Sequence, residues 1–144
     1  MRVLVVGAGG VGSSIASIAA RRDVFERIVL ADVDHARATR AADRTESARV
    51  LATRVDAGDR LDLVELIHSV QADVVVNACD PRFNPPIFDA AFTAGCHYLD
   101  MAMHMSSPHP TDPYNTCGVK LGDAQFAVAD QWEARGLLAL VGMG

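Results

Sequence analysis

Lysine is almost missing from these 144 residues: Lys120 is the only one, and the rest of the basic side is arginine. Chemistry that needs a lysine amine, such as a Schiff base, therefore has one candidate. Cysteine is scarce as well. Cys79, Cys96 and Cys117 are odd in number, far apart and without a Cys-x-x-Cys pair, which suits a reducing compartment better than a disulfide scaffold. His104, His109 and Cys117 share one stretch, but their spacing matches no compact metal motif, so no metal site is expected. No apolar run approaches the ~20 residues that cross a bilayer. Met1 and Arg2 lead directly into an apolar segment with no small-residue cleavage site behind it, unlike a signal peptide. These features predict a cytoplasmic protein with no membrane partner. A formal net charge of −5 argues against nucleic acid as well.

What is present is a regular alternation. Residues 2–6, 27–31, 52–55, 73–78, 98–101 and 137–141 read as short strands, most of them apolar on both faces. Between them lie helical patterns. The first, over 11–21, places Val11, Ile15, Ile18 and Ala19 on one stripe. Asp34 caps a second helix running to about Arg44, and a short third one holds Leu61, Val64, Leu66 and Ile67. Asn84 is expected to cap a helix that starts at Pro85-Pro86 and stops at Gly95. A long loop over 103–118 precedes a last helix over 123–135 with Gly136 as its stop. Buried strands joined by helices imply an α/β fold: a doubly wound (Rossmann) parallel sheet of about six strands with helices on both faces. The length is that of one domain, and no repeat or linker divides it.

The first strand runs into Gly7-Ala8-Gly9-Gly10-Val11-Gly12, a G-x-G-x-x-G that a helix leaves directly. In that context each glycine serves a separate purpose. Gly7 allows the tight turn, Gly9 lets backbone approach a pyrophosphate closely, and Gly12 lets the helix pack on the strand. Gly10 and Val11 belong to the helix N-terminus, whose free amides attract phosphate. Asp32 ends the second strand twenty residues after Gly12, where a carboxylate accepts hydrogen bonds from an adenosine ribose. It also repels a ribose 2′-phosphate, since two like charges ~4 Å apart cost about 4 kcal/mol at a surface-like dielectric. NAD is therefore the expected cofactor, with NADP left open because Arg37 and Arg40 follow within two turns. Those arginines read otherwise as a solvated helix face. Asp56, after the third strand, is either an adenine-side residue or a turn residue beside Gly58, and Ala78, ending the fourth, joins the cofactor set.

With these residues in place the chain resembles the N-terminal nucleotide-binding domain of the saccharopine dehydrogenase/reductase-like family. The matching pieces are VLVVGAGGVGSSIA, LADVDHARA and the stretch from 72 to 102, with Asn77-Ala78, Pro85 and Gly95-x-x-Tyr98-x-Asp100. The resemblance implies an NAD(P)-dependent oxidoreductase acting on CH–NH bonds, moving hydride to or from a secondary amine or imine of an amino acid or polyamine. It also implies a substrate domain beyond residue 144, so the isolated chain is expected to be inactive. A small amino-acid or polyamine substrate is the implied partner, and a homo-oligomer is left open. The segment CDPRFN departs from the family pattern, and Asp80 and Arg82 within it either pair with each other or meet a zwitterionic substrate.

Proton handling is expected near the carboxyl ends of strands four and five. Asp100 and Tyr98 share one strand face, and His104 follows on the loop with a side chain of the type that serves as acid or base near neutral pH, so these three are the catalytic candidates. Two other classes compete. GAGGVGS followed by ADVD also resembles ATP-binding adenylating enzymes of the sulfur-carrier and ubiquitin-activating type, although HARATRAADR lacks their Asn-Arg-Gln segment. A non-enzymatic dinucleotide-sensing module would carry the same glycine loop.

Overall fold

The computed structural model describes residues 1–103 and 105–144. Six strands form one parallel sheet: β1 (Arg2–Val6), β2 (Arg27–Asp32), β3 (Val50–Arg54), β4 (Val74–Asn77), β5 (His97–Asp100) and β6 (Ala139–Leu140). Their order across the sheet is β3-β2-β1-β4-β5-β6. The chain thus builds outward from β1 in one direction, then returns to β1 and builds outward in the other. This order is the doubly wound one, with the crevice at the point of reversal between β1 and β4.

The helices between strands are α1 (Gly10–Ala19), α2 (His35–Asp43), α3 (Arg60–Val70) and α4 (Asn84–Ala94), followed by two short pieces, α5 (Asp123–Phe126) and α6 (Ala129–Ala134). Alternation along β1 divides the core between the two faces. Val3 and Val5 pack with Ala16 and Ala19 of α1 and with Ala38 and Ala41 of α2. Leu4 and Val6 face Leu63 and Ile67 of α3, Ile87 and Phe88 of α4, and Trp132. The first side is built on alanines, which let its two helices sit close to the sheet. The second is filled by rings. Phe88 meets Tyr98 edge-on at 5.1 Å, and Trp132 lies 4.7 Å from Phe88 and 5.2 Å from Phe92.

Local chemistry fixes most boundaries. The Asp34 carboxylate accepts from the Arg37 amide, capping α2 as its sequence predicts. Asp59 does the same for α3, accepting from the amides of Leu61 and Asp62. Gly95 closes α4 at φ +72°, a left-handed conformation that glycine adopts without strain.

Two expectations need correction. Asn84 does not cap α4; Phe83 holds that position, and the Asn84 side chain is buried in a polar network described below. The last helix is not continuous over 123–135. It breaks at Ala127-Val128, where Val128 sits at φ −113°, ψ 15°, outside helical geometry. An isolated antiparallel bridge joins Ser107, in the expected loop over 103–118, to Val119 just beyond it.

Trp132 is 3% exposed and bridges α4 to the last helical piece. Replacing it with alanine should lower unfolding free energy by about 3–5 kcal/mol in a urea titration, the usual cost of removing a buried large ring. A change within a few tenths would mean that the outer third of the sheet does not depend on this ring cluster.

Candidate cofactor site

The glycine loop is shaped by three different constraints. Gly7 stands at φ +101°, a conformation closed to other residues, and a methyl there would also meet the Ala78 carbonyl oxygen at 3.0 Å. Gly12 is pressed against backbone: an added Cβ would lie 1.8 Å from the Gly7 carbonyl oxygen. Gly9 is the opposite case. A Cβ there meets nothing within 4 Å, so the lack of a side chain leaves open space above the loop. That is the cradle a pyrophosphate needs.

The first helical bond of α1 runs from the Ser13 amide to the Gly9 carbonyl at 3.0 Å. The amides of Gly10, Val11 and Gly12 precede it and have no intrahelical acceptor. Ser13 and Ser14 donate their hydroxyls back to the carbonyls of Gly9 and Gly10, each at 2.8 Å. The helix end therefore offers N–H groups and a partial positive charge with no acidic residue in its first turn.

Asp32 is 6% exposed and holds this loop in place. One carboxylate oxygen accepts from the Ala8 amide at 2.8 Å; the other accepts from the Asp34 amide at 2.9 Å. Arg37 reaches the second oxygen at 3.5 Å. Arg37 stays exposed on its helix, as the solvated-face reading expects, while its guanidinium turns back toward the end of β2. Arg40 stays exposed.

A cleft of about 480 Å³ opens along the carboxyl ends of β1, β2 and β4. Gly7, Gly9, Asp32, Asp56 and Ala78, all expected from the sequence, line it. So do Arg37, Cys79, Arg82 and Phe83. Asp56 also serves its turn, accepting from the Gly58 amide at 2.8 Å, so the two readings of that residue are compatible. Asp80 and Arg82 approach at 3.9 Å with both side chains largely exposed, which makes their pairing energetically slight.

Sequence reasoning does not single out Cys79. Its thiol donates to the Val6 carbonyl at 3.3 Å, and burial, with the nearby charges of Asp32 and Asp80, pushes it up to about 11. A thiol in that state is a packing group at neutral pH.

Tyr98 and Asp100 share a face, as the strand alternation requires, but not the cleft. Both are 1% exposed. Tyr98 donates its hydroxyl to Asp100 at 3.0 Å and accepts from the Asn77 amide nitrogen at 3.1 Å. The same Asn77 nitrogen donates to Asn84 Oδ1 at 2.8 Å, and Asn84 donates onward to the Ala102 carbonyl at 2.7 Å. Asp100 further accepts from Gln125 at 2.7 Å and from the Gly142 amide at 2.6 Å. Burial raises the Tyr98 phenol well above its ordinary value, so it stays protonated. Asp100, expected as a proton-handling candidate at the end of its strand, has its carboxylate enclosed and engaged by these donors. His104 lies outside the described residues.

A parallel sheet in this order, a glycine-lined turn entering a helix and an acidic end to β2 define a dinucleotide-binding domain of the Rossmann class. Residues 3–140 match the saccharopine dehydrogenase NADP binding domain family, and the chain belongs to that family. It is 32% identical over 143 residues to a carboxyaminopropylagmatine dehydrogenase from Synechocystis, covering 99% of this chain and 34% of that protein. A carboxynorspermidine synthase from Vibrio cholerae is 31% identical, with 100% of this chain and 36% of the relative covered. The chain spans about a third of the length of these curated relatives. Among solved structures, saccharopine dehydrogenase (L-Glu forming) from Saccharomyces cerevisiae superposes with a TM-score of 0.74 at 18% identity, covering 99% of this chain and 27% of that one. The adenylating alternative finds no support in these likenesses. Among the described residues, no helix is long and apolar enough to cross a membrane.

The glycines separate two kinds of damage. Gly9→Val should leave the unfolding midpoint almost unchanged while reducing NADH binding at least tenfold, because its side chain fills the open cradle. Gly12→Val should lower the unfolding midpoint itself, since backbone must move. Equal thermal stability of the two variants would contradict this reading. The cysteines give a second check. Iodoacetamide at pH 8 should modify exposed Cys117 first and Cys79 slowly, with the Cys79 rate climbing as pH rises toward 11.

Proposed function

We propose that this chain is the nucleotide-binding part of an NAD(P)-dependent oxidoreductase that moves hydride to or from a secondary amine or imine of a polyamine-type or amino-acid substrate. The observation that carries the reading is the open backbone cradle at Gly9, set over the free amides of α1 and beside buried Asp32. The bound cofactor supplies the hydride chemistry; this chain binds and orients it. Membership of the family and the names of the two curated relatives, carboxyaminopropylagmatine dehydrogenase and carboxynorspermidine synthase, favour a polyamine-type substrate.

In this reading the amides of Gly10, Val11 and Gly12 hold the pyrophosphate, and Asp32 meets the adenosine ribose. The Asn77–Tyr98–Asp100 network is a positioning device. It locks β4, β5 and the segment after β6 into one frame beneath the reacting half of the cofactor. His104 is the remaining candidate in this chain for moving a proton, and a substrate domain following residue 144 supplies the substrate pocket and excludes water. Titration of NADH and NADPH, followed by turnover with polyamine conjugates and saccharopine, tests the whole assignment. The 144-residue chain alone should bind reduced cofactor and turn over none of these substrates; robust turnover would show that the site is complete without a further domain.

Cofactor preference rests on a balance at the end of β2. Asp32 repels a 2′-phosphate, and Arg37, already 3.5 Å from it, offsets that repulsion. Arg37→Ala should therefore weaken NADPH binding by about tenfold and NADH little. Asp32→Ser should narrow the difference between the two cofactors. It should also weaken both, because the amides of Ala8 and Asp34 lose their acceptor. A wild-type protein indifferent to Arg37→Ala with both cofactors would place the 2′ position elsewhere.

Asp100→Ala tests the positioning role. It strands the Tyr98 hydroxyl, the Gln125 amide and the Gly142 amide, and should cost at least about 2 kcal/mol of unfolding free energy. Unchanged stability of Asp100→Ala would show that this carboxylate does not hold the frame together.

A further inference from the structure

The CDPRFN segment departs from the family pattern, and the structure puts it on the cleft wall facing the turn after β3. It is a compact 3₁₀ turn over Pro81–Phe83. The Asp80 carboxylate accepts from the Arg82 amide and the Asp80 carbonyl accepts from the Phe83 amide, each at 3.0 Å. The Arg82 guanidinium lies over the Phe83 ring, 4.9 Å from its centre, while its side chain remains 75% exposed. Among the described residues no strong ion pair holds it, since Asp80 at 3.9 Å is itself exposed.

Opposite stand Val55, Asp56 and Ala57, which follow β3. The two walls are close: a Cβ on Gly58 would lie 3.9 Å from the Phe83 ring. The cleft of about 480 Å³ that Asp32 lines reaches this far end, where the exposed Arg82 side chain borders it beside Ala57.

We infer that Arg82, backed by Phe83, is a specificity residue that stacks on the adenine ring of the dinucleotide. The inference rests on the cofactor reading above and assigns the part of the cleft that reading leaves open. A guanidinium is planar and weakly hydrated, and it stacks on π faces in a way a lysine ammonium does not. Seating it on an aromatic ring limits its freedom before the ligand arrives, so less order is lost on binding. Stacking on a base does not depend on the ribose 2′ substituent. Arg82 should therefore serve NAD and NADP alike, in contrast to Arg37.

The test uses this protein, with fluorescence titration of NADH, NADPH and reduced nicotinamide mononucleotide, which has no adenosine. Wild type, Arg82→Ala, Arg82→Lys and Phe83→Leu are compared, with thermal unfolding recorded for each. Arg82→Ala should weaken NADH and NADPH equally, by about tenfold, and leave the mononucleotide unchanged. Arg82→Lys should recover less than half of that loss, because charge without a plane does not stack. Phe83→Leu should show a smaller loss of the same pattern. Weakening of NADPH alone would make Arg82 a phosphate contact and overturn the inference, as would full rescue by lysine or unchanged binding in Arg82→Ala. Failure of the wild type to bind NADH would instead bring down the cofactor reading itself.

Discussion

The close approach of α1 to the Gly7 carbonyl governs the geometry of everything above it. With a Cβ at residue 12 placed 1.8 Å from that oxygen, only glycine lets the helix begin where it does. Because it begins there, its free amides point over the end of β1, into the crevice where the strand order reverses. Asp32 then fixes the loop from the side through the Ala8 amide. One carboxylate thus joins β2, the glycine loop and the cap region of α2. It is in place before any ribose arrives, which reduces the ordering that ligand binding must impose.

A second buried carboxylate plays the matching part across the sheet. Asp100 gathers a phenol, a side-chain amide and a backbone amide from three separate stretches of chain. Donor and acceptor roles run in one direction along this network. The Cys79 amide fixes the Asn77 carbonyl oxygen, which leaves the Asn77 nitrogen to donate to Tyr98 and Asn84. Tyr98 must then donate to Asp100. Such a chain has one consistent arrangement, and among its described members the Gln125 Oε1 is the buried atom left without a partner.

The fold is legible in the sequence because each of its signals is local. Apolar runs bounded by glycine, the Asp34 cap and the Gly95 stop each declare themselves within a few residues. The glycine loop is legible for the same reason, since its spacing and flanks carry the geometry. Asn84 misleads because an asparagine before two prolines is a good local cap, and only its hydrogen bonds to buried Asn77 and to the Ala102 carbonyl, both remote from the helix start, show where the side chain goes. Asp100 misleads for a similar reason. Its position at a strand end suggests a cleft, whereas Gln125 and Gly142, which enclose it, are distant in sequence. The break in the last helix at Val128 has no signal in the sequence that we can identify. Arg37 can be placed by noticing that residue 37 lies one helical turn from the cap and close to the end of β2.

The strand order also bears on how the molecule assembles in time. β1 pairs with β2 through neighbours some twenty-five residues away, such as Val3 with Ile28, whereas its other edge pairs Val3 with Val74. Contacts between distant residues require closing a long loop before they return any stabilisation, so they form late. Pairs within each half are of the local kind, Val74 with His97 included, so docking the two halves along β1 and β4 is the long-range step. The cleft has walls from both halves, with Gly7 and Asp32 from one and Ala78 and Phe83 from the other. It does not exist until that docking is done. A dinucleotide that spans these walls therefore holds the two halves together, and its binding energy opposes their separation by mass action.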